Sequence, residues 1–393
     1  MRGILLAIGI AMATPAGAGD TEGLRLWAEG FRTRASAAGI PVATLDAGLA
    51  DLTYDPKIIE RDRNQAEFTK AIWEYLDTAV SEDRVTNGKR ALAANAGTLQ
   101  QIEDRFGVEK EIVAAIWGLE SAYGSFRGTT PTLSALATLA YDGRRAAYFE
   151  GELLAALRIL AAGEVTPDRM RGSWAGAMGH TQFMPSSFLS RAVDFDGDGR
   201  RDVWGEDPSD ALASTAAYLA GFGWTKGQPW GVEVRLPEGF DYGATGERVK
   251  HPVPFWQAAG VRTWDGADLP DPGVPASVLL PAGAEGAAFL IFPNFQVIER
   301  YNTADAYVIA VGHLADRLRG GLQVQAGWPR GDRVLTLAER QELQTRLTAA
   351  GYDTLGVDGK IGPNTIAAVR AFQRAEGLVP DGYANLSLLS RLR

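Results

Sequence analysis

GVEKEIVAAIWGLESAYG, residues 107–124, decides how this chain folds. Ile112, Val113, Ile116 and Trp117 recur at the spacing of one helical face. Glu120 follows Trp117 by three residues, Ile116 by four and Val113 by seven, so it shares that apolar face. Glu109, Lys110 and Glu111 fall in the first turn, Tyr123 lies on the same side as Glu120, and Gly124 is a natural helix stop. Burying a carboxylate costs on the order of several kcal/mol unless it is paired or protonated, so the acid should hold its proton to higher pH. A general acid working near neutral pH needs that property. Periodicity alone does not single out catalysis, because a salt-bridged structural glutamate is the commoner case.

Outward from this helix, residues 20–225 read as mainly helical. Phe68, Ile72, Trp73, Tyr75 and Leu76 repeat at helical spacing, as do Leu212, Ala216 and Leu219. Residues 228–293 turn rich in Gly and Pro around short candidate strands at 231–236 and 288–292, which predicts a small β-rich lobe. Helix returns at 303–319. Residues 321–332 read as a linker in which Trp328 and Pro329 could pack. Residues 333–393 read as a separate unit of three short helices. Thr336 with Glu339 makes a capping box before Leu343 and Leu347. Pro363 opens a helix bearing Ile366, Val369 and Phe372, and Leu386, Leu388, Leu389 and Leu392 mark a third. The expected class is mainly α (α+β), with one β-rich lobe and a C-terminal three-helix domain.

Composition removes several chemistries. With 46 % apolar and 22 % charged residues over 393, the chain can bury a sizeable core. A net charge of −9 disfavours nucleic acid. There is no cysteine, so disulfides, thiolate nucleophiles, Cys-bound zinc and a lipid-modified N-terminal Cys are excluded. His180, His251 and His313 have no paired spacing, so zinc is not expected, and His180 is given no role. Arg2, an apolar run from Ile4 to Met12 and the small residues Ala16-Gly17-Ala18 form the three parts of a secretory signal, assigned to residues 1–18. The run is too short to span a bilayer.

DFDGDGRRDVWG, residues 194–205, spaces Asp194, Asp196 and Asp198 like positions 1, 3 and 5 of an EF-hand-like loop. Gly199 takes the sharp-turn position, and Arg200 could offer its carbonyl next. Position 12 is Gly205 rather than Glu, so the closing ligand is open, with Glu206 and Asp207 in reach. A solvated acidic turn is the alternative to a structural calcium site.

Four motifs in order carry a resemblance: WGLESAYG at 117–124, GSWAGAMGHTQFMPSS at 172–187, the acidic loop followed by DALAS at 210–214, and RYNTADAYVIAV at 300–311. Together they resemble the lytic murein transglycosylases of the B type. That resemblance covers roughly residues 20–320 and implies a lysozyme-like helical catalytic domain. It implies cleavage of the β-1,4 bond between N-acetylmuramic acid and N-acetylglucosamine in peptidoglycan glycan strands, with a 1,6-anhydromuramyl product. In such enzymes one Glu acts as acid and then base, and its position here is Glu120. Ser173, Gln182, Tyr301, Asn302 and Tyr307 match substrate-cleft positions, and Tyr123 joins them beside Glu120. Tyr rings suit sugars by stacking, although core packing is their commoner use. In the family a later Asp closes the calcium loop, and the matching position is Asp210.

Residues 333–393, containing GVDGKIGPNTIAAVRAFQRAEGLVPDG, resemble the three-helix peptidoglycan-binding module, an anchor to the wall. The implied protein is periplasmic and soluble once residues 1–18 are removed. It needs no catalytic cofactor, carries structural Ca2+ at most, and has other cell-wall enzymes as candidate partners. A muramidase-type hydrolase and a non-catalytic wall-binding protein are the alternative functions.

Overall fold

The computed structural model describes residues 21–63 and 70–393. The secretory signal expected at residues 1–18 and the helical position Phe68 lie outside them. Contacts group the chain into two units. The first takes Met1–Arg63, Thr129–Ala177 and Met184–Ser186. Its centre is a helical hairpin of Thr132–Asp142 and Ala146–Ala161, on which Thr21–Ala37, Val42–Leu49 and Pro56–Arg63 pack. The first helix of the pair is buried on every side from Thr132 to Ala140, and the second, packed against it, buries Leu153, Ala156 and Leu157. Thr130–Pro131 pairs with Arg171–Gly172 as a two-residue antiparallel ladder.

The second unit takes Asn64–Gly128, Met178–Phe183 and Ser187–Arg393. Its axis is the helix Lys110–Ser121, in which every residue from Ile112 to Gly118 is buried. That corrects the single-face expectation. Helices Asp305–Leu318, Ser209–Gly221, Glu82–Ala94 and Ala96–Phe106 surround this central helix, so it needs apolar or small residues on all sides. Ala114, Ala115 and Gly118 supply the small ones and let neighbours come close. The expectation of helix throughout residues 20–225 also fails locally. Residues 173–184 and 192–208 are turns and bends, as their Gly and Asp content permits.

The β-rich lobe is a four-stranded antiparallel sheet in the order Arg262–Thr263, Gly231–Arg235, Ala288–Ile291, Ser277–Leu279. Val232 lies opposite Leu290, and Val278 also lies opposite Leu290. Val234, Val278 and Leu290 point into a core closed by Trp256 and Phe292.

The C-terminal helices Leu337–Ala349, Pro363–Ala375 and Leu386–Leu392 enclose their own core of Leu343, Leu347, Val369, Phe372 and Leu389. The capping box forms as expected, Glu339 N donating to Thr336 Oγ1 and Thr336 N to Glu339 Oε2. The bundle thus has its own core, as expected for residues 333–393, and it is also tied by hydrogen bonds to its surroundings. Arg370 Nη2 donates to Thr245 Oγ1 at 2.6 Å, and Ala284 N donates to Asp381 Oδ2 at 2.8 Å. The residues before it are tied down as well. Gln325 N and Ala326 N donate to the Glu233 carboxylate at 2.9 and 2.7 Å. Trp328 meets Trp73 with ring centroids 6.3 Å apart. Arg330 forks onto Asp77 at 2.7 and 2.9 Å.

Candidate active site

Glu120 sits in the last turn of the central helix, where the buried barrel of Ile112–Gly118 gives way to a half-buried rim. The Tyr307 hydroxyl donates to Glu120 Oε1 at 2.6 Å. Tyr307 is only 4 % exposed and belongs to the helix Asp305–Leu318 packed along the central one. Burial, and then the neighbouring Glu120, hold the Tyr307 phenol well above its ordinary pKa, so it stays a donor. Two helices with complementary apolar faces thus bring together side chains 187 residues apart.

The helix ends abruptly. Ala122 and Tyr123 take left-handed backbone, at φ 48° and 59°. Such conformations cost non-glycine residues about 1 kcal/mol or more each. Ala122 N donates to Gly118 O and Tyr123 N to Trp117 O, closing the helix end. Ser121 Oγ donates to His180 O at 2.5 Å and accepts from Gly124 N at 2.9 Å. The second motif is thereby fastened to the first. Gly124 has φ +84°, and a Cβ there would lie 2.6 Å from His180 Nδ1.

His180, to which the sequence assigned nothing, is the hinge pin of this corner. It is 3 % exposed. Trp117 Nε1 donates to its Nδ1 at 3.2 Å, and its Nε2 lies 2.9 Å from Gly205 O, which suits the Nε2–H tautomer. Burial lowers its pKa, so the ring is neutral. Arg127 braces the same corner by donating to Trp204 O and Gly205 O and pairing with Glu206 at 2.5 Å. The available signal was the buried indole N–H of Trp117, which demands an acceptor. Spacing alone could not say that His180 provides it.

Gln182 carries φ 53°, and its amide donates to Arg127 O at 3.0 Å and Gly179 O at 2.7 Å. Both amide protons are engaged, so toward a ligand this side chain offers an acceptor oxygen. Tyr301 donates to Thr181 O at 2.6 Å, and its phenol pKa is raised by burial and then by Glu120. Asn302 Oδ1 accepts from Ala304 N at 3.1 Å, one residue before the helix that carries Tyr307. Glu120, Tyr307, Tyr301 and the strip His180–Gln182 therefore converge. Ser173 belongs to the other unit, where its N donates to Ala177 O and its Oγ accepts from Ala177 N at 3.1 Å.

The sequence assigns Tyr301 and Tyr307 to the cleft by motif position and Tyr123 by its place beside Glu120, with stacking as the physical rationale; all three rings also make protein contacts. Tyr307 lies within the main core and Tyr123 and Tyr301 pack against it. Tyr301 faces Tyr218 and Phe183, with centroids 5.2 and 5.8 Å away. Tyr123 stands edge-on to Trp117 and donates to Arg84 O at 3.0 Å, and burial lifts its phenol to about 12.

In the acidic loop, carboxylate oxygens of Asp194, Asp196 and Asp198 come within 4.8 Å of one another. Gly199 makes the sharp turn at φ +90°. Asp194 accepts from Gly197 N and Gly199 N, and Asp198 Oδ1 accepts from Arg200 N. Asp210 is not in that trio. Its two oxygens accept from Phe195 N and Asp202 N, each at 2.8 Å, so it braces both arms of the loop from beneath. Burial raises its pKa. A second trio, Glu247, Glu299 and Asp305, was not anticipated. Burial first and then Glu247 push Glu299 up to about 8, and likewise Asp305 to about 6.

Comparison with known proteins follows the same lines. Residues 23–316 match the family described as the transglycosylase SLT domain, and residues 336–392 match a peptidoglycan binding domain. Membrane-bound lytic murein transglycosylase B of Escherichia coli K12 is 35 % identical over 246 residues, which are 61 % of this chain and 65 % of that protein. The match thus spans just under two thirds of that relative. SltB3 of Pseudomonas aeruginosa, solved in complex with NAG-anhNAM-pentapeptide, is 48 % identical, with a TM-score of 0.91 over 94 % of this chain and 99 % of that one. The E. coli lytic transglycosylase Slt35, solved in complex with calcium, is 32 % identical, with a TM-score of 0.65 over 74 % of this chain and 92 % of that one.

Proposed function

Because the chain belongs to the transglycosylase SLT domain family and carries a peptidoglycan-binding module, we propose that it is a lytic transglycosylase. It cuts the β-1,4 bond between N-acetylmuramic acid and N-acetylglucosamine and leaves 1,6-anhydromuramyl ends. The observation that carries this reading is the 2.6 Å bond from Tyr307 to Glu120. It holds one carboxyl group in a fixed orientation at the rim of a buried helix. Glu120 first gives its proton to the leaving glycosidic oxygen as the C1–O bond breaks. As a carboxylate it then takes the proton of the C6 hydroxyl, whose oxygen bonds to C1 and closes the anhydro ring. One acid serves both steps, so no water is consumed. Gln182 and Asn302 are the polar side chains assigned to the substrate in this reading.

Glu120→Gln should abolish cleavage of purified glycan strands while the unfolding midpoint stays within a few degrees. Full activity in that variant would refute the assignment. Mass spectrometry of the digest separates the two chemistries: anhydro ends support transglycosylation, whereas reducing ends mean that water replaces the C6 hydroxyl and the enzyme is a hydrolase.

A structural calcium ion is the second element of this reading. The donors on hand are all oxygen, as a hard cation requires. Asp194, Asp196 and Asp198 would hold it, with the Arg200 carbonyl adjacent and Asp210 bracing the loop. Bound calcium would offset the mutual repulsion of three close carboxylates. Millimolar calcium should raise the unfolding midpoint relative to chelator, and an unchanged midpoint would count against the site. A periplasmic location is part of the same proposal, because the substrate of this reading is the wall. Among the described residues no helix is long and apolar enough to cross a membrane.

A further inference from the structure

Glycan-cutting enzymes need a flat apolar surface for a pyranose ring, and the tyrosines around Glu120 do not offer one. Phe126 does. It lies six residues after Glu120 and is 76 % exposed, far more than any other described aromatic ring of comparable size. Its exposure is not that of a loose loop. Phe126 N donates to Ser121 O at 2.9 Å, folding the loop back onto the residue that follows Glu120. The next residue, Arg127, is clamped on both sides. Its guanidinium reaches Trp204 O, Gly205 O and Glu206, and its carbonyl accepts from Gln182 Nε2 at 3.0 Å. The backbone that carries the phenyl ring is thus tied to the residue after the acid and, through Arg127, to Gln182. A large apolar side chain exposed on an anchored backbone adds little to the fold and is free to bury area against a ligand.

We propose that Phe126 is a stacking platform for one sugar ring of the glycan strand, at a subsite flanking the scissile bond. The apolar face of a pyranose, with its axial C–H groups, would lie on the ring. This proposal rests on the reading of the chain as a glycan-cutting enzyme. It adds a binding residue outside the motifs' own polar positions.

The test uses the full chain and soluble, peptide-free glycan strands, with anhydro ends counted by mass spectrometry. Phe126→Ala should raise KM by about threefold to tenfold, with kcat changed by less than about twofold. Phe126→Leu keeps apolar bulk without a flat face and should resemble the Ala variant. Phe126→Trp should restore the wild-type KM. Unfolding midpoints should agree across the set, because the ring is exposed. An unchanged KM in Phe126→Ala, a wild-type KM in Phe126→Leu, or a loss confined to kcat each overturns the platform. If the unaltered enzyme releases no anhydro ends, the parent reading fails instead, and the two failures are distinguished by that control.

Discussion

Tyr307 shows how a buried side chain can act through a neighbour. It is nearly inaccessible, its phenol is held well above the ordinary range, and it donates to Glu120 Oε1. A hydrogen bond to a charged group contributes about 1.5–3 kcal/mol. Tyr307→Phe should therefore lower kcat by about tenfold to a hundredfold with KM little changed, because Glu120 loses its orientation rather than the substrate its contacts. Steady-state kinetics on soluble glycan strands will read this, and an equal rise in KM would mean that Tyr307 binds substrate instead. Glu120 and Tyr307 were both legible, the one from its face and motif and the other from motif alone. What was not legible was their partnership, since a bond across 187 residues depends on two helices packing in one register. His180 was missed for a related reason: its partners Trp117 and Gly205 lie in two other motifs, and a lone histidine carries no spacing to read.

The central helix Lys110–Ser121 was legible as an element from four apolar positions, but its all-round burial was not. Its alanines and glycine look neutral in sequence and become decisive only when neighbours press on them. Gly118 is the sharpest case. A Cβ there would lie 2.5–2.7 Å from the Tyr123 ring and hydroxyl, which fill the gap and reach Arg84 O. Gly88, on the helix Glu82–Ala94, leaves room for the same side chain. Gly118→Ala should destabilise by about 1–3 kcal/mol through overpacking, despite the better helix propensity of alanine. Urea unfolding will test this, and a neutral or stabilising outcome would show that Tyr123 can move aside freely. The sheet tells the opposite story. Strands near 231–236 and 288–292 were visible from their apolar runs, whereas Arg262–Thr263 and Ser277–Leu279 are too short to stand out from the surrounding Gly and Pro.

For the molecule as a whole, the trio of Glu247, Glu299 and Asp305 shapes the expected response to pH through its two raised members, Glu299 and Asp305. Their carboxyl oxygens crowd together from position 247 and from the stretch 299–305, and Arg300 offsets part of the rise at Glu299. Glu299 is held at about 8 and Asp305 at about 6, each above its unfolded value. Raised acids bind more protons in the folded state, so their contribution is complete below the ordinary carboxylate range. It is lost as pH climbs through about 6 and then about 8. The unfolding midpoint should fall across that window, and Glu299→Gln should flatten the fall. An identical slope in the variant would assign the effect elsewhere. Nothing in the sequence announced this trio, because repulsion between acids appears only once the fold has set them side by side.

The strap from Gln325 to Arg330 changes what kind of joint links the C-terminal bundle to the rest of its unit. A free dozen-residue connection would let the bundle wander as a random coil and would set its encounter rate with a nearby strand by chain statistics. Here the Glu233, Trp73 and Asp77 contacts have already removed that freedom, and the Arg370 and Asp381 bonds hold the far side. These contacts predict an arm of constant reach, so that a glycan strand bound by it would meet the rest of its unit at one offset rather than over a cloud of positions. Lengthening the strap with Gly-Ser should leave cleavage of intact wall unchanged until the Glu233 and Asp77 anchors are also removed. Only then does the joint become entropic, and length begins to matter.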